Sequence, residues 1–458
     1  MADVRHFHTD FPPSRAADRK PVEDTHATRL GGRVTANPIK VGLADSADRY
    51  LATDHTVWFA EVPSAPTEEQ LLGLPPDQRF AADREGADPA TYPGVYGVYP
   101  MTLSVPGKGE AVEQVPCAGL TWVGVHPDHR RQGVLTAMIR HHLEQVHEEP
   151  GMHVSALHAS EPVIYGRYGY GLASLELDVT LGRGTTLAAP HLDQAASGIT
   201  TRMGTVSDPG TPDRMRSCHL ATAEVGAVIG QTGYYERVCQ LIPEQMRDKE
   251  PWRVLFAQVE GTGDGVDVGF AMFRRTHKWE RGRPGGELTV WSLEGEQPAR
   301  LALLRRLLDF DLMATVKLST VGVDDPVLLW AGGPRSTSDV ATYDSLWVRL
   351  VDLPEALRSR TWSAACDVVV EVEDTAAPWN DGTWHLHADG AGVAVVERST
   401  READVRLPVA ALGAAFLGGG NLAAMHRAGL VAERRPGAAA ELWRAMRTDT
   451  QPTGAWMF

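Results

Sequence analysis

The chain has 458 residues, 43% hydrophobic and 22% charged, a globular balance with material for roughly two to four domains of ordinary size. Its 59 acidic residues outnumber 44 basic ones, for a formal net charge of -15, which opposes a phosphate backbone and excludes nucleic acid as a partner. The same field draws cationic small molecules.

The opening segment, MADVRHFHTDFPPSRAADRK, lacks the apolar core of a signal peptide. No apolar run approaches the roughly 20 residues that cross a bilayer, so no membrane is expected and the location is read as cytoplasmic. Residues 1–38 are read as a polar extension with the breaker FPPSR at 11–15, and folding is expected to begin near Ile39. VYGVYPMTLSV (95–105) and CAGLTWVGV (117–125) read as adjacent antiparallel strands. HPDHRRQG follows, then a helix over 134–149 with the stripe Leu135, Met138, Ile139, His142, Leu143 and Val146. HVSALHA (153–159) is a further strand. Strand, loop, helix, strand fits a mixed α/β layer, whose ligands lie at the carboxyl ends of strands.

From about residue 180 a second α/β unit of similar order is expected. LELDVTLGRGTTL is strand-like, GTVSDPGTPDR a loop, and CHLATAEVGAVIGQTGYYERV a helix interrupted by glycines. Three strands follow in WRVLFAQVEG, DVGFAMFRRTHKWERG and GELTVWSLEG, then an amphipathic helix over 298–312. From about 346 a compact α+β unit is expected, with strands in CDVVVEVED and GTWHLHADGAGVAVVE and helices in DVRLPVAALGAAFLGG, NLAAMHRAGLV and AAAELWRAMR. The chain closes on Trp456, Met457 and Phe458, three large apolar residues where a frayed polar end is usual. They pad a surface groove or are drawn into the molecule.

The strongest chemical signal is VGVHPDHRRQGVLTAMIRHHL. A strand ends, a basic turn with Gly133 follows, and a long helix begins. The N–H groups of Arg131 through Leu135 would converge on an anion, with Arg130 and Arg131 adding charge-assisted contacts. Several donors and two arginines suit a pyrophosphate. The GxxxxGK[ST] and GxGxxG patterns are absent. Cys117, Cys218, Cys239 and Cys366 show no metal or disulfide spacing and are read as buried thiols. No metal site is expected: His141, His142 and His147 lack the HExxH arrangement, and His142 reads as a packed core residue. RRTHKWERGR (274–283) reads as a solvated hairpin.

The run Arg130-Arg131-Gln132-Gly133-Val134-Leu135 resembles the coenzyme A motif Q/R-x-x-G-x-G/A of the GCN5-related N-acetyltransferase superfamily, with Leu135 in place of the final small residue. Together with LHASEPVIYGRYGYG (157–171) it is similar to the enhanced intracellular survival (Eis) acetyltransferases of actinobacteria, over roughly 39–458. The resemblance implies an α/β and α+β chain: two tandem acetyltransferase-like (GNAT) domains, 39–178 and 179–345, the second without the coenzyme A motif, then a sterol-carrier-like domain over 346–458 with its tail in the active site.

The resemblance also implies an acetyl-CoA-dependent N-acetyltransferase and a hexamer built as two trimers. Val123, Gly124 and Val125 would hold the pantetheine arm, and Arg130 to Leu135 the pyrophosphate. Ser160 would touch the cofactor or the substrate entrance, and His158 would line the pocket. Tyr165 corresponds to the family's general acid, and the terminal carboxylate of Phe458 to its general base. On residues alone, Tyr168 and Tyr170 compete with Tyr165. Cationic amines, aminoglycosides at several positions among them, are the implied substrates, with Asp54, Glu61, Glu68, Glu69 and Asp83 as candidates to face them. A lipid or sterol-binding module and a coenzyme A-binding pseudoenzyme are the competing readings.

Overall fold

The computed structural model describes residues 38–59, 67–109, 111–240, 250–260, 265–390 and 392–458. Residues 1–37 of the expected extension, and Glu61, lie outside the described residues. The chain forms three large sheets.

The first holds β1 (Lys40–Leu43), β2 (Arg79–Asp83), β3 (Gly94–Pro106), β4 (Val112–Val125) and β5 (Val154–His158) in chain order. Helices α1 (Ala47–Trp58) and α2 (Thr67–Gln70) lie between β1 and β2, and α3 (Val134–Glu148) between β4 and β5. β3 and β4 are antiparallel, and α3 is the crossover that makes β5 parallel to β4. α3 buries Val134, Met138, Ile139, His142, Leu143 and Val146, one stripe at spacings of three and four. Leu135, placed in that stripe by the sequence, is only half-buried.

The chain continues through α4 (Pro162–Tyr165), β6 (Gly171–Leu172), β7 (Leu175–Gly182), α5 (Asp193–Ser197), β8 (Thr200–Thr205), α6 (Thr211–Ala221), β9 (Val228–Gly230) and α7 (Thr232–Cys239). Then come β10 (Arg253–Val259), β11 (Val266–Thr276), the small hairpin β12 (Trp279–Glu280) and β13 (Arg283–Pro284), β14 (Gly286–Gly295), α8 (Gln297–Leu308), β15 (Met313–Val321), α9 (Pro326–Trp330) and β16 (Asp339–Asp344). The second sheet runs β16-β7-β15-β14-β11-β10-β8. It repeats the first arrangement: β11 is antiparallel to β14, α8 crosses over, and β15 is parallel to β14.

Three expectations here are corrected. The segment read as one interrupted helix is α6, a turn, β9 and α7. Gly226 at φ +99° makes the turn, and β-branched Val228 and Ile229 then pair with β3 of the first sheet. The expected loop from Gly204 starts inside β8, and α6 begins already at Thr211. The helix expected to run to 312 stops at Leu308, where Asp309 caps it.

The third unit contains β17 (Leu346–Leu350), α10 (Leu353–Arg358), β18 (Cys366–Glu373), β19 (Gly382–Ala388), β20 (Ala394–Arg398), β21 (Val405–Pro408), α11 (Val409–Ala415), α12 (Leu422–Arg427), β22 (Ala432–Glu433) and α13 (Ala438–Met446). Its sheet is β20-β19-β18-β21-β22. VRLP, read within the start of a helix, is strand β21, parallel to β18. The first strand of this segment, β17, leaves the unit and pairs with β5 and β6 of the first sheet. α11 lies so close to that sheet that a Cβ on Gly171 would meet Ala410 O.

Arg349 of β17 is the polar link across this junction. It is fully buried and its Nη2 reaches both Asp374 oxygens, at 2.8 and 2.6 Å, while Nη1 donates to Leu350 O. A buried cation without its carboxylate costs about 3–5 kcal/mol, whereas an apolar replacement of both is close to neutral. Asp374→Ala is therefore expected to lower the midpoint of thermal unfolding sharply, and the double change Arg349→Met with Asp374→Leu to recover most of the loss.

Candidate active site

β4 and β5 pair only from Cys117↔Val154 to Gly119↔Ala156. β4 then runs on to Val125 and β5 to His158, so the two strands part and leave a fork. A bulge sits in the free arm. β3 and β4 shift register between Val95 and Gly97, leaving Trp122 and Val123 opposite Tyr96, with Trp122 at φ +53°. Val123 and Val125 are half-buried. Gly124 is covered by α1, where a Cβ would lie 3.1 Å from Val57.

Past Val125 comes the basic loop. Pro127–His129 form a 3-10 turn, and Arg131 (φ +59°) and Gly133 (φ +85°) both take the left-handed region. Gly133 caps α3 without a side-chain hydrogen bond, so the first-turn N–H groups, including those of Val134 and Leu135, remain open. Arg130, Arg131 and Gln132 are exposed, and among the described residues neither arginine forms an ion pair. The Gln132 amide donates to Asp128 O at 2.9 Å and braces the loop. This concave run of N–H groups at a helix N-terminus, with two free guanidinium groups beside it, fits a pyrophosphate.

Beyond β5, Ser160 is exposed and α4 carries Tyr165. Tyr165 is 6% exposed, and its ring meets Tyr170 edge-on at 6.1 Å. The three competing tyrosines differ in their hydroxyls. Tyr170 donates to Ser155 Oγ at 2.9 Å, and Ser155 in turn to Ala118 O at 3.0 Å. Tyr168 shares a hydrogen bond with Thr136. The Tyr165 hydroxyl has no hydrogen bond among the described residues. Burial, then Glu161 and Tyr168, pushes its phenol up to about 12, so it keeps its proton at neutral pH. His142 is the packed core residue expected, with Nε2 2.8 Å from Ser155 Oγ and burial pushing it down to about 3.

The C-terminal tail is drawn inside. Trp456 is 2% exposed and Phe458 4%. The Phe458 ring lies edge-on to His158 at 5.1 Å, and its Cε2 would be 3.1 Å from a Cβ on Gly119. It therefore occupies the point where β4 and β5 part. Two hydrogen bonds hold the backbone before it: His158 Nε2 donates to Trp456 O at 2.9 Å, and the Tyr234 hydroxyl to Met457 O at 2.8 Å.

Tyr234 belongs to α7 and joins the tail to a further cluster. Its ring meets Tyr99 at 5.5 Å, the Trp122 indole donates to the Tyr99 hydroxyl, and Arg237 lies over Trp122 at 4.7 Å. Tyr99 and Tyr234 also line a cavity of about 340 Å³ with Leu71, Leu74, Pro75 and Pro100. Asp54 of α1 is buried near Arg237; burial raises its carboxyl to about 7, against the lowering effects of the Arg237 charge and a Trp58 hydrogen bond. Of the other acidic candidates, Glu68 is paired to Arg79, Asp83 to Arg49, and Glu69 is exposed. Sequence reasoning missed Tyr234 and Arg237; the aromatic pair Tyr234-Tyr235 beside a basic residue was the available signal.

Residues 91–173 match an acetyltransferase (GNAT) domain family, 226–351 a second acetyltransferase (GNAT) domain family, and 353–454 a sterol carrier protein domain family. An N-acetyltransferase of Streptomyces avermitilis, itself uncharacterized, is 36% identical over 363 residues, which cover 78% of this chain and 85% of that protein. N-acetyltransferase Eis of Mycobacterium tuberculosis is 29% identical over 371 residues, covering 78% and 83%. The crystal structure of Eis1 from Mycobacterium abscessus superposes with a TM-score of 0.72 at 26% identity, over 90% of this chain and 98% of that one. A GCN5-related N-acetyltransferase of Anabaena variabilis shares the fold at a TM-score of 0.72 and 15% identity.

The buried Asp54 carboxyl gives a stability test. Its folded pKa of about 7 lies above the ordinary value of 3.8, so the folded state binds the proton more tightly and stability falls as pH rises between the two. Asp54→Asn removes that penalty. The variant is expected to unfold at a higher temperature than wild type at pH 8, with the gap narrowing toward pH 5.

Proposed function

The chain belongs to the Eis branch of the GCN5-related N-acetyltransferases and uses acetyl-coenzyme A, and on that premise we propose that it acetylates amines of cationic small molecules, aminoglycosides at several positions among them. Phe458 carries this reading: it lies at the fork of the first sheet although 300 residues separate it from His158 beside it.

The free arm of β4 at Val123, Gly124 and Val125 receives the pantetheine chain as a strand-like neighbour. The loop from Arg130 to Leu135 holds the pyrophosphate, and Ser160 borders the entrance. The terminal carboxylate of Phe458 takes a proton from the entering ammonium, directly or through water. The freed amine nitrogen bonds to the acetyl carbon, and a backbone N–H of Val123–Val125 stabilises the oxygen as it gains charge. The carbon–sulfur bond then breaks and Tyr165 gives its proton to the thiolate, while the second proton of the acylated nitrogen leaves through water and restores the Tyr165 phenol.

That last proton transfer is coupled to the breaking of the carbon–sulfur bond and the return of a proton to Tyr165. A free thiol titrates near 8.5, well below the Tyr165 phenol. Burial raises the Cys117 thiol of β4 to about 12. Cys117 itself, at that value, is no acyl carrier.

On the acceptor side, Asp54 supplies a carboxyl that an arriving cation would ionise, since its pKa of about 7 is within reach of a neighbouring charge, and the aromatic cluster supplies the walls. The net charge of -15 draws polycations toward such a site. The same reading carries a hexameric assembly, two trimers, in the cytoplasm.

Thiol release from acetyl-coenzyme A over a panel of amines tests this. Wild type should acetylate several aminoglycoside amines. Tyr165→Phe, and a chain lengthened past Phe458, should each lose about 10²–10³ in kcat while acetyl-coenzyme A binds as before. Tight acetyl-coenzyme A binding with no turnover on any amine would overturn the reading and leave a coenzyme A sensor.

A further inference from the structure

The second unit has a fork of its own. β14 and β15 pair from Gly286↔Met313 to Val290↔Leu318 and then part, β14 continuing to Gly295 and β15 to Val321. The free arm again begins with a bulge at a tryptophan: the register of β11 against β14 steps from Met272↔Ser292 to Phe273↔Val290, passing over Trp291. What differs is the approach to the helix. Eight residues, 126–133, link β4 to α3, but Glu296 alone links β14 to α8. One acidic residue gives neither the concave backbone nor the positive charge that a pyrophosphate needs.

The chain's own tail fills this fork. Thr453 N donates to Val225 O at 2.8 Å, and Ala455 N to Ser345 Oγ at 3.0 Å. Gly454 fits because a Cβ there would lie 2.6 Å from Thr320 O, on the arm of β15. The Trp456 ring lies 4.7 Å from Trp291, the bulge residue, and 4.8 Å from His219. Its indole N–H donates to Glu294 Oε1 at 2.8 Å, on the free arm of β14. Burial alone would raise the Glu294 carboxyl, but His219, the Trp456 N–H, Ser292 and Arg300 outweigh it and hold it low, so the acceptor is charged and the bond strong.

We propose that the second acetyltransferase unit is a receptor for the C-terminal segment of its own chain, with the β14–β15 fork as socket, Trp456 as plug and Glu294 as the acceptor that fixes it. Two extended residues span about 7 Å, so seating Trp456 in the second fork fixes Phe458 at the first. Glu294 is then a positioning residue. That it affects the rate rests on the base role of Phe458 proposed above; that it holds the tail does not.

The test uses the full chain and two conservative changes, Glu294→Gln and Trp456→Phe, singly and together. Release of Phe458 and Met457 by a carboxypeptidase reports tail docking, and kcat and KM report catalysis. Glu294→Gln removes the acceptor's charge and Trp456→Phe the donor, so each should speed release, Trp456→Phe about tenfold or more, and the double variant should be no faster than Trp456→Phe alone, since both act on the same bond. kcat should fall while KM for acetyl-coenzyme A stays unchanged, which also shows that the first unit is folded. Faster release with unaltered kcat would keep the socket and overturn the base role of Phe458. Release at the wild-type rate in both single variants would overturn the socket.

Discussion

Burial of the last residues of the chain is the constraint on which the remaining architecture depends. Trp456 and Phe458 can be dry only if two sheets open toward each other, and both sheets do so at the place where parallel strands part. The tail starts from α13 of the third unit, where the fully buried Arg360 guanidinium bonds the carbonyls of Phe416 and Met446. Its path is fixed further by Asp324, which accepts from Gln451 N at 2.7 Å. Each unit contributes a different part: the third launches the tail, the second grips it, and the first receives its end.

The two forks show how one arrangement serves two purposes. Each has an antiparallel hairpin, a crossover helix, a parallel strand and a bulged tryptophan. The first adds an eight-residue loop with Arg131 and Gly133 in left-handed backbone, and so can hold an anionic cofactor. The second omits the loop and takes an indole against the half-buried carboxylate of Glu294. The β3–β9 pairing, the tail and β17 tie the units together, which is why no clean boundary runs between them.

Local pattern made much of this legible. The β4–loop–α3–β5 run has strong periodicity and its signals lie within about twenty consecutive residues, so its elements and the glycine turn into α3 follow from the sequence. The inward tail was suggested by three apolar residues at a terminus. What local pattern does not carry is pairing over long distance. β17 reads as the start of the third unit yet lies between β5 and β6, because the partner strand is almost 200 residues earlier. β9 reads as part of a helix, since three residues give no period of their own. Asp54 could not be told from Glu68, Glu69 or Asp83 by type; only burial separates it. On residue type alone Tyr165, Tyr168 and Tyr170 are equivalent and only the resemblance singles out Tyr165; the folded chain adds that their hydroxyl partners differ.

The central claim is that the tail brings a catalytic carboxylate to the first fork. It is tested most directly by semisynthesis of the chain with the Phe458 carboxylate replaced by a carboxamide, every side chain kept, and single-turnover acetylation measured against pH. The account predicts a loss of about 10²–10³ in the rate, disappearance of the rise in rate with pH that ionisation of a carboxylate base produces, and unaltered acetyl-coenzyme A affinity. A carboxamide chain that acetylates amines at the wild-type rate, with the same pH profile, would contradict it.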